Sequence, residues 1–262
     1  MVLRKRLLAL LFAVALLSCT SVELDNPCDR RNGIPSQDCY LPSVGGGSSS
    51  SGGGDNHFNP NIPYINFIDN RDGKTYKSVV IGTQTWMAEN LNYRTPGGAS
   101  RCYPTSGSTN WDDNDNANCD TYGRLYDWAT AMNNSASSTA VPSGIQGVCP
   151  DGWHLPSRAE WEVMTDYIGG VSAEGKMLKA TSGWKDGGNG EDTYGFSALP
   201  GGRAYSNGSF VDVGGSGYWW SATDTYSGVA QSRYMSYNFE DARWGNYNKE
   251  YLSSVRCVRD SD

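Results

Sequence analysis

The sequence predicts an α+β domain with few helices, short antiparallel strands, long loops and stabilising disulfide bonds. Three observations predict it. Apolar residues recur at helical spacing in only three short segments, all before residue 181. From Phe196 onward, short alternating segments are separated by glycine-rich turns. Seven cysteines occur among the 262 residues, behind an apolar leader.

The first 18 residues have the pattern of a bacterial export signal. Three basic residues precede an apolar run at residues 7 to 17, which is too short for a stable membrane span. The run ends in LLSC, which resembles the lipobox of lipoprotein precursors, where the cysteine becomes the lipidated first residue. We therefore expect a lipid on Cys19 and, since Thr20 follows, a location on the bacterial outer membrane or cell surface. An ordinary secretory signal is the alternative.

Behind the signal, the chain divides into a tether and one domain. Residues 19 to 44 form a short polar segment that contains cysteine, and residues 45 to 54 read GGGSSSSGGG. Such a run buries no core and forms a flexible linker of about 17–19 Å average span. Residues 55 to 262 are then one domain, because roughly 200 residues lie within the single-domain range.

The cysteines predict three disulfide bonds. Six remain besides Cys19, which is an even number in an exported chain. Six cysteines allow fifteen pairings, and their spacing lacks the close pairs of a zinc knuckle. Proximity along the chain suggests three pairs: Cys28 with Cys39, Cys102 with Cys119, and Cys149 with Cys257.

The charge excludes one class of partner. Without the three basic residues of the leader, 18 basic side chains face 28 acidic ones, a net charge of −10. An acidic surface argues against nucleic acid and against anionic headgroups. We expect contact with the membrane through the lipid anchor alone.

The first part of the domain predicts one hairpin and three helices. Lys74 to Val80 and Thr85 to Ala88 are expected to pair across a glycine turn. Residues 121 to 134, TYGRLYDWATAMNN, predict a helix that stops at the two asparagines. Residues 172 to 180, SAEGKMLKA, predict a shorter helix.

The stretch CPDGWHLPSRAEWE, at 149 to 162, predicts a corner that leads into the third helix. Pro-Asp-Gly is turn chemistry, and Ser157 with Glu160 has the spacing of a capping box. Only His154 lacks a local structural role among the polar residues. No serine or cysteine nucleophile is marked beside it, so we expect a packing histidine rather than a catalytic base.

Several segments resemble a known family. DGKTYKSVVIGTQTWMAENLNY, YGRLYDWATAM, GWHLPSRAEWE, YGFSALPGGR, GYWWSAT and SVRCVRD resemble, in this order, the Fibrobacter succinogenes major paralogous domain, over residues 67 to 260. HLPSRAEWE is also similar to the RLPTEAEWE signature of the formylglycine-generating sulfatase-modifying family. The resemblance implies a C-type-lectin-like fold with neighbouring terminal strands and long loops on one side.

The resemblance does not carry the chemistry of these relatives. Formylglycine-generating enzymes oxidise cysteine with a copper-binding thiol pair, whereas Cys257 is the only late cysteine and is expected to pair with Cys149. The calcium- and sugar-binding tripeptides of C-type lectins do not occur. Glu191 and Asp192 are adjacent in a turn-like run, which is weak evidence for a glycosidase. We expect a protein that is not an enzyme.

One loop concentrates oxygen ligands that suit calcium. It lacks the turn glycine and bidentate glutamate of an EF-hand, so a calcium site and a solvated loop closed by a disulfide both remain open. The candidate ligands are Asp112, Asp113, Asn114, Asp115 and Asn116.

Aromatic residues supply the candidate ligand-binding side chains. Nine tryptophans and sixteen tyrosines stand against six phenylalanines, and residues with a flat face and a polar tip suit sugar stacking and wet interfaces. Five lie in polar segments where we expect exposure: Trp111, Trp184, Tyr205, Trp244 and Tyr247. We expect a non-catalytic module for extracellular polysaccharide or a surface protein. A protein–protein module of a surface assembly without a small ligand is the alternative, and a divergent oxidase or hydrolase is the least favoured.

Overall fold

Two β-sheets and four short α-helices make up the described chain, which a computed structural model gives for residues 57–105, 116–170 and 172–260. Short strands with few helices are confirmed, although sheet dominates the domain. The strands are β1 (Ile65–Ile68), β2 (Thr75–Ile81), β3 (Gln84–Met87), β4 (Ser100–Arg101), β5 (Leu125–Tyr126), β6 (Trp153–His154), β7 (Gly201–Ala204), β8 (Phe210–Val213), β9 (Ser216–Tyr226), β10 (Val229–Ser236), β11 (Ala242–Asn248), β12 (Ser253–Ser254) and β13 (Val258–Arg259). The helices are α1 (Ala117–Tyr122), α2 (Trp128–Ala131), α3 (Arg158–Tyr167) and α4 (Glu174–Leu178), with a 3-10 turn at Lys185–Gly187.

Part of the chain lies outside these ranges. The lipidation and linker segments, the Cys28–Cys39 pair, Trp111 and residues 112 to 115 are all outside the described residues. Among the helices that are described, none is long and apolar enough to cross a membrane.

The first sheet has the order β1-β2-β3-β13-β6. The predicted hairpin is confirmed, because β2 and β3 pair antiparallel within one residue of the expected bounds. Gly82 at its turn has φ +63°, and a Cβ there would lie 2.8 Å from Cγ of Tyr167. The turn therefore needs glycine both for its conformation and for the ring packed against it.

The strand β13 lies inside this sheet, between β3 and β6. Val258 of β13 pairs with Trp86 of β3 on one side and with His154 of β6 on the other. Cys257, just before it, is bonded to Cys149, and a second disulfide joins Cys102 to Cys119. Both pairs agree with the pairing expected from the sequence.

The second sheet has the order β11-β10-β9-β12-β5-β4, with β7 also beside β9 and β8 beside β7. The strands β9 and β10 form the longest hairpin, which begins at the expected GYWWSAT segment. Trp219 and Trp220 point to opposite faces of β9, and each is fully buried. Both faces of β9 therefore pack against hydrophobic core. The sequence reading predicted neither β11 nor β1.

The helix expected over residues 121 to 134 is wrong as a single element. Gly123 ends α1 at φ +73°, and Leu125–Tyr126 is a strand that pairs with β4 and β12. Asp127 then caps α2 by accepting from the Thr130 N–H at 2.7 Å. Strand pairing supplied by distant segments has overridden local helical spacing.

The α3 start is confirmed as a capping box. The Ser157 hydroxyl accepts from the Glu160 N–H at 3.2 Å, and the Glu160 carboxylate accepts from the Ser157 N–H at 2.9 Å. Trp161 and Met164 follow on the buried face. The shorter helix α4 is present as expected.

We expect the longer disulfide loop to stabilise the fold more. The bonded cysteines are separated by 108 residues in Cys149–Cys257 and by 17 in Cys102–Cys119. The chain-entropy model then gives contributions of about 5 and roughly 3 kcal/mol to the free energy of unfolding. Urea unfolding of the two double-serine variants measures both. All four cysteines are buried, so the packing lost in the two variants is similar. Equal losses of unfolding free energy, or a larger loss without Cys102–Cys119, would contradict the expectation.

Candidate functional site

The corner before α3 holds its histidine between two carboxylates. His154 is 3% exposed; its Nε2 lies 2.6 Å from Glu160 Oε1, and its Nδ1 lies 2.6 Å from Asp260 Oδ1. Both ring nitrogens must carry a proton to donate to both carboxylates, which describes an imidazolium. We call these three residues the histidine corner.

The charges of the histidine corner favour that protonated form. Burial lowers the pKa of His154, but the hydrogen bonds and negative charges of Glu160 and Asp260 outweigh burial. The pKa of the histidine therefore lies above its ordinary value. The other oxygen of Glu160 accepts from the Ser157 and Ser143 N–H groups. Because both ring nitrogens and the Glu160 carboxylate have hydrogen-bond partners, His154 links β6 to α3 and to Asp260, which follows β13.

A second constellation surrounds Arg203 on β7. The guanidinium carbon lies 4.5 Å from the ring centre of Tyr218, 4.7 Å from that of Tyr247 and 5.2 Å from that of Tyr205. Tyr251 is 6.0 Å away. We call Arg203 with Tyr205, Tyr218, Tyr234, Tyr247 and Tyr251 the tyrosine cluster.

Strand register brings three of these rings together. Tyr234 of β10 is directly opposite Tyr218 of β9, and their rings are stacked with centres 5.7 Å apart. Tyr247 on β11 meets the edges of both rings, at 5.6 Å and 6.4 Å. Cross-strand aromatic pairs of this kind stabilise a sheet face. Gly245 leaves room for Tyr247, since a Cβ there would lie 2.4 Å from the ring.

Two turns complete the cluster. Tyr205, just after β7, meets Tyr251, just before β12, edge to face at 5.0 Å. The backbones of Ala204 and Leu252 exchange two hydrogen bonds beside them. The five rings therefore belong to β9, β10, β11 and these two strand-flanking turns.

An ion pair between a mostly buried arginine and a partly exposed aspartate sets the electrostatics of the cluster. Asp212 accepts from the Tyr218 hydroxyl at 2.9 Å and lies 3.7 Å from Arg203 Nε. The Arg203 side chain is only 15% exposed, so its charge acts mainly on the rings above it. Desolvation raises the pKa of Tyr247 to about 12, against the lowering effect of Arg203. The Tyr247 phenol is therefore a neutral hydroxyl group at neutral pH.

The tyrosine cluster contains two of the five predicted aromatic residues. Tyr205 and Tyr247 are both partly exposed there. The expected exposure of Trp184 is wrong, because this side chain is 4% exposed and donates from Nε1 to the Ala198 carbonyl at 2.9 Å. Trp244 is partly exposed, but it lies on the opposite face of β11 and contacts Arg158 and Arg233 at 5.0 Å each.

The residues at the centre of the cluster were not predicted from the sequence. Arg203, Tyr218, Tyr234 and Tyr251 were not among the candidates. Period-2 alternation puts Tyr218 on one face of its strand, but only the β9–β10 register shows that Tyr234 lies on the same face. Arg203 gives no local signal, because its role depends on strands distant in sequence.

The remaining candidates have separate outcomes. Of the proposed calcium ligands only Asn116 is described, and its side chain caps α1 by accepting from the Asn118 and Cys119 N–H groups. Glu191 faces Lys176 at 3.0 Å on the surface. Asp192 is buried and accepts from the Ser197 hydroxyl at 2.7 Å. These two carboxylates therefore point to different surroundings.

A family comparison covers the tyrosine cluster and all of the histidine corner except Asp260. The model described as the Fibrobacter succinogenes major domain matches residues 79–259 of the chain. The match runs from within β2 to the end of β13 and covers more than half of the sequence. No curated protein and no solved structure matches the chain.

We expect the histidine corner to make stability depend on pH. Because the pKa of His154 is higher in the folded chain than the ordinary value near 6.5, protonated His154 stabilises the fold fully below about pH 6.5. This contribution is lost as the pH rises through the folded pKa. The difference in unfolding free energy between wild type and His154→Gln should therefore shrink from pH 5.5 to pH 8.5.

Urea unfolding at several pH values measures this difference, with Arg158→Gln as a surface control on α3, the helix that carries Glu160. A difference that stays constant or grows with pH would contradict an imidazolium between the two carboxylates.

Proposed function

This chain belongs to the Fibrobacter succinogenes major domain family, and we propose that it is a surface-anchored lipoprotein whose domain binds extracellular polysaccharide without catalysing a reaction. The observation that carries the proposal is the tyrosine cluster. It supplies several aromatic faces, phenol hydroxyls and one carboxylate on a single face of the second sheet.

The chemistry of the cluster suits sugars. Sugar rings present apolar C–H faces that pack on aromatic rings, and hydroxyl edges that need hydrogen-bond partners. Tyr234, Tyr247, Tyr205 and Tyr251 are each partly exposed. Asp212, whose side chain is 39% exposed, supplies an acceptor beside them. Tyr234 and Tyr247 are held on paired strands and need little reordering to bind, which reduces the entropic cost.

A protein partner is the second candidate, and a separate surface favours it. The edge strand β1 exposes Ile65 and Ile68, at 58% and 60%, and Val80 on β2 is equally open. Exposed apolar side chains on an edge strand are a feature of surfaces that accept another chain. This surface lies on the first sheet, so the two candidates can be tested with different variants.

The proposal includes a C-type-lectin-like arrangement of the domain. It is supported by the late strand β13, which returns to lie beside β3 of the N-terminal hairpin. Long loops between the short strands fit the same arrangement.

The anchor is proposed from the leader and the linker. A lipid on Cys19 followed by a flexible ten-residue run at 45 to 54 would hold the domain near the membrane while allowing it to reorient. Disulfide bonds within the domain are consistent with an oxidising, extracellular setting. A tether also raises the effective concentration of a binding module near its target.

We expect loss of polysaccharide binding when the exposed rings are removed. Tyr234→Ala and Tyr247→Ala should each weaken adsorption of the full chain in detergent to insoluble xylan or cellulose by at least about fivefold, since an aromatic contact contributes about 1 kcal/mol. Depletion isotherms measure the affinity.

Tyr167→Ala is the matched control for this experiment, since it removes a tyrosine that is 60% exposed beside the first sheet. Unchanged adsorption in both cluster variants would refute the tyrosine cluster as the site. Capture of a surface protein that depends on Ile65 and Ile68, with no adsorption to either polysaccharide, would favour the second candidate.

We also expect Cys19→Ala to abolish the anchor. In the producing bacterium, the variant should incorporate no alkyne-labelled fatty acid and should leave the membrane fraction, whereas Cys28→Ala should keep both properties. Labelling of the Cys19→Ala variant would show that the lipid is elsewhere, and a wild-type chain without label would show that the leader is an ordinary secretory signal.

A further inference from the structure

A cavity adjoins the tyrosine cluster near Tyr205 and Tyr251. The cavity has a volume of about 450 Å³, and Ser206 and Glu250, the chain neighbours of these two tyrosines, line it. Arg101 and Lys249 line it as well. Its wall therefore combines a hydroxyl group and carboxylates with an ammonium group and the planar guanidinium of Arg101.

A second cavity continues from the first. It has a volume of about 420 Å³, and Ala99 lines both cavities. Ala129 in the first wall and Thr130 in the second are consecutive residues of α2. The two cavities therefore share Ala99 as a lining residue, and residues of α2 line both of them.

The second cavity has a planar group of its own. Arg71 lies over the Tyr93 ring, with its guanidinium carbon 3.9 Å from the ring centre. Two hydrogen bonds to Asp69, at 2.9 Å and 2.7 Å, and one to the Val148 carbonyl at 2.8 Å fix its plane. Asn134, which follows the end of α2 and has φ +58°, also lines this cavity.

The tyrosine cluster and the two cavities therefore share one combination of chemical groups. The tyrosine cluster, the first cavity and the second cavity each place aromatic or guanidinium planes beside hydroxyl, amide or carboxylate groups. A polysaccharide presents the same sugar ring and the same hydroxyls at every repeat. Surfaces that recur along one path suit such a polymer better than a single sugar.

We propose that the polysaccharide site is an extended groove, from the tyrosine cluster past Ala99 to the Arg71–Tyr93 stack, which binds several consecutive sugars within a chain. This inference rests on the proposed function and specifies its ligand as a polymer segment rather than a monosaccharide or a chain end. Ala99 is the passage between the two cavities, because a larger side chain at this position would fill the junction.

The test is the dependence of affinity on chain length. Xylo- and cello-oligosaccharides of two, four and six residues are titrated into the full chain in detergent, with calorimetric detection. We expect the affinity for the six-residue form of the bound sugar to exceed that for the two-residue form by at least tenfold. Ala99→Trp should remove this gain and leave disaccharide binding unchanged.

Two further variants keep the test interpretable. Ala129→Trp places the same bulk in the first cavity from an exposed helical position, and it should also remove the gain if Ala99→Trp fails to fold. Val80→Trp, on the exposed face of β2, is the matched control and should keep the full gain.

The outcomes separate the groove from the proposed function. Equal affinity for all lengths, or a gain that survives both blocking variants, would overturn the groove while leaving tyrosine-dependent binding intact. No binding of any oligosaccharide together with no adsorption to either polysaccharide would overturn the proposed function itself and the groove with it.

Discussion

Insertion of the chain end between two earlier strands is the constraint on which the structure depends. Val258 fills the position between β3 and β6, and Ser254, four residues earlier, pairs with Trp219 of the other sheet. One segment thus satisfies backbone groups in both sheets, which an unpaired edge would leave without partners. The bond from Cys257 to Cys149 and the imidazolium of His154 hold the same junction from either side of β13.

Buried polar groups then fix how the sheets meet. The Asn90 side-chain oxygen accepts from Trp219 Nε1 at 2.7 Å and from Arg256 Nη2 at 2.8 Å. Arg256 is almost fully buried, donates to the Phe196 carbonyl, and stacks 4.2 Å from the Phe196 ring. Burial of a cation is costly unless its donors are satisfied, so this network tolerates only a packing that keeps these partners together.

The two candidate constellations differ in what their charges do. In the histidine corner both ring nitrogens and both Glu160 oxygens are engaged by other parts of the chain, so the chemistry of the imidazole serves to hold the fold. In the tyrosine cluster, Arg203 and Asp212 support rings whose faces and hydroxyls remain partly open to solvent. Paired strands carry Tyr218, Tyr234 and Tyr247, whereas the proposed groove beyond them is built mainly from loops and the short helix α2. A sugar chain would therefore meet a rigid surface at the tyrosine cluster and a more adaptable one along the groove.

The sequence alone determined the features that depend on near neighbours. The capping box at Ser157, the β2–β3 hairpin, the α4 helix and the family resemblance all rest on residues a few positions apart or on ordered motifs. Only the tertiary structure decided that Leu125 belongs to a strand, that Trp184 is buried, and that Arg203 lies among five tyrosines. Each of these depends on contacts with segments that are distant in sequence, as in the pairing of Leu125 with Ser254, and a local pattern contains no information about which distant backbone will supply the hydrogen bonds.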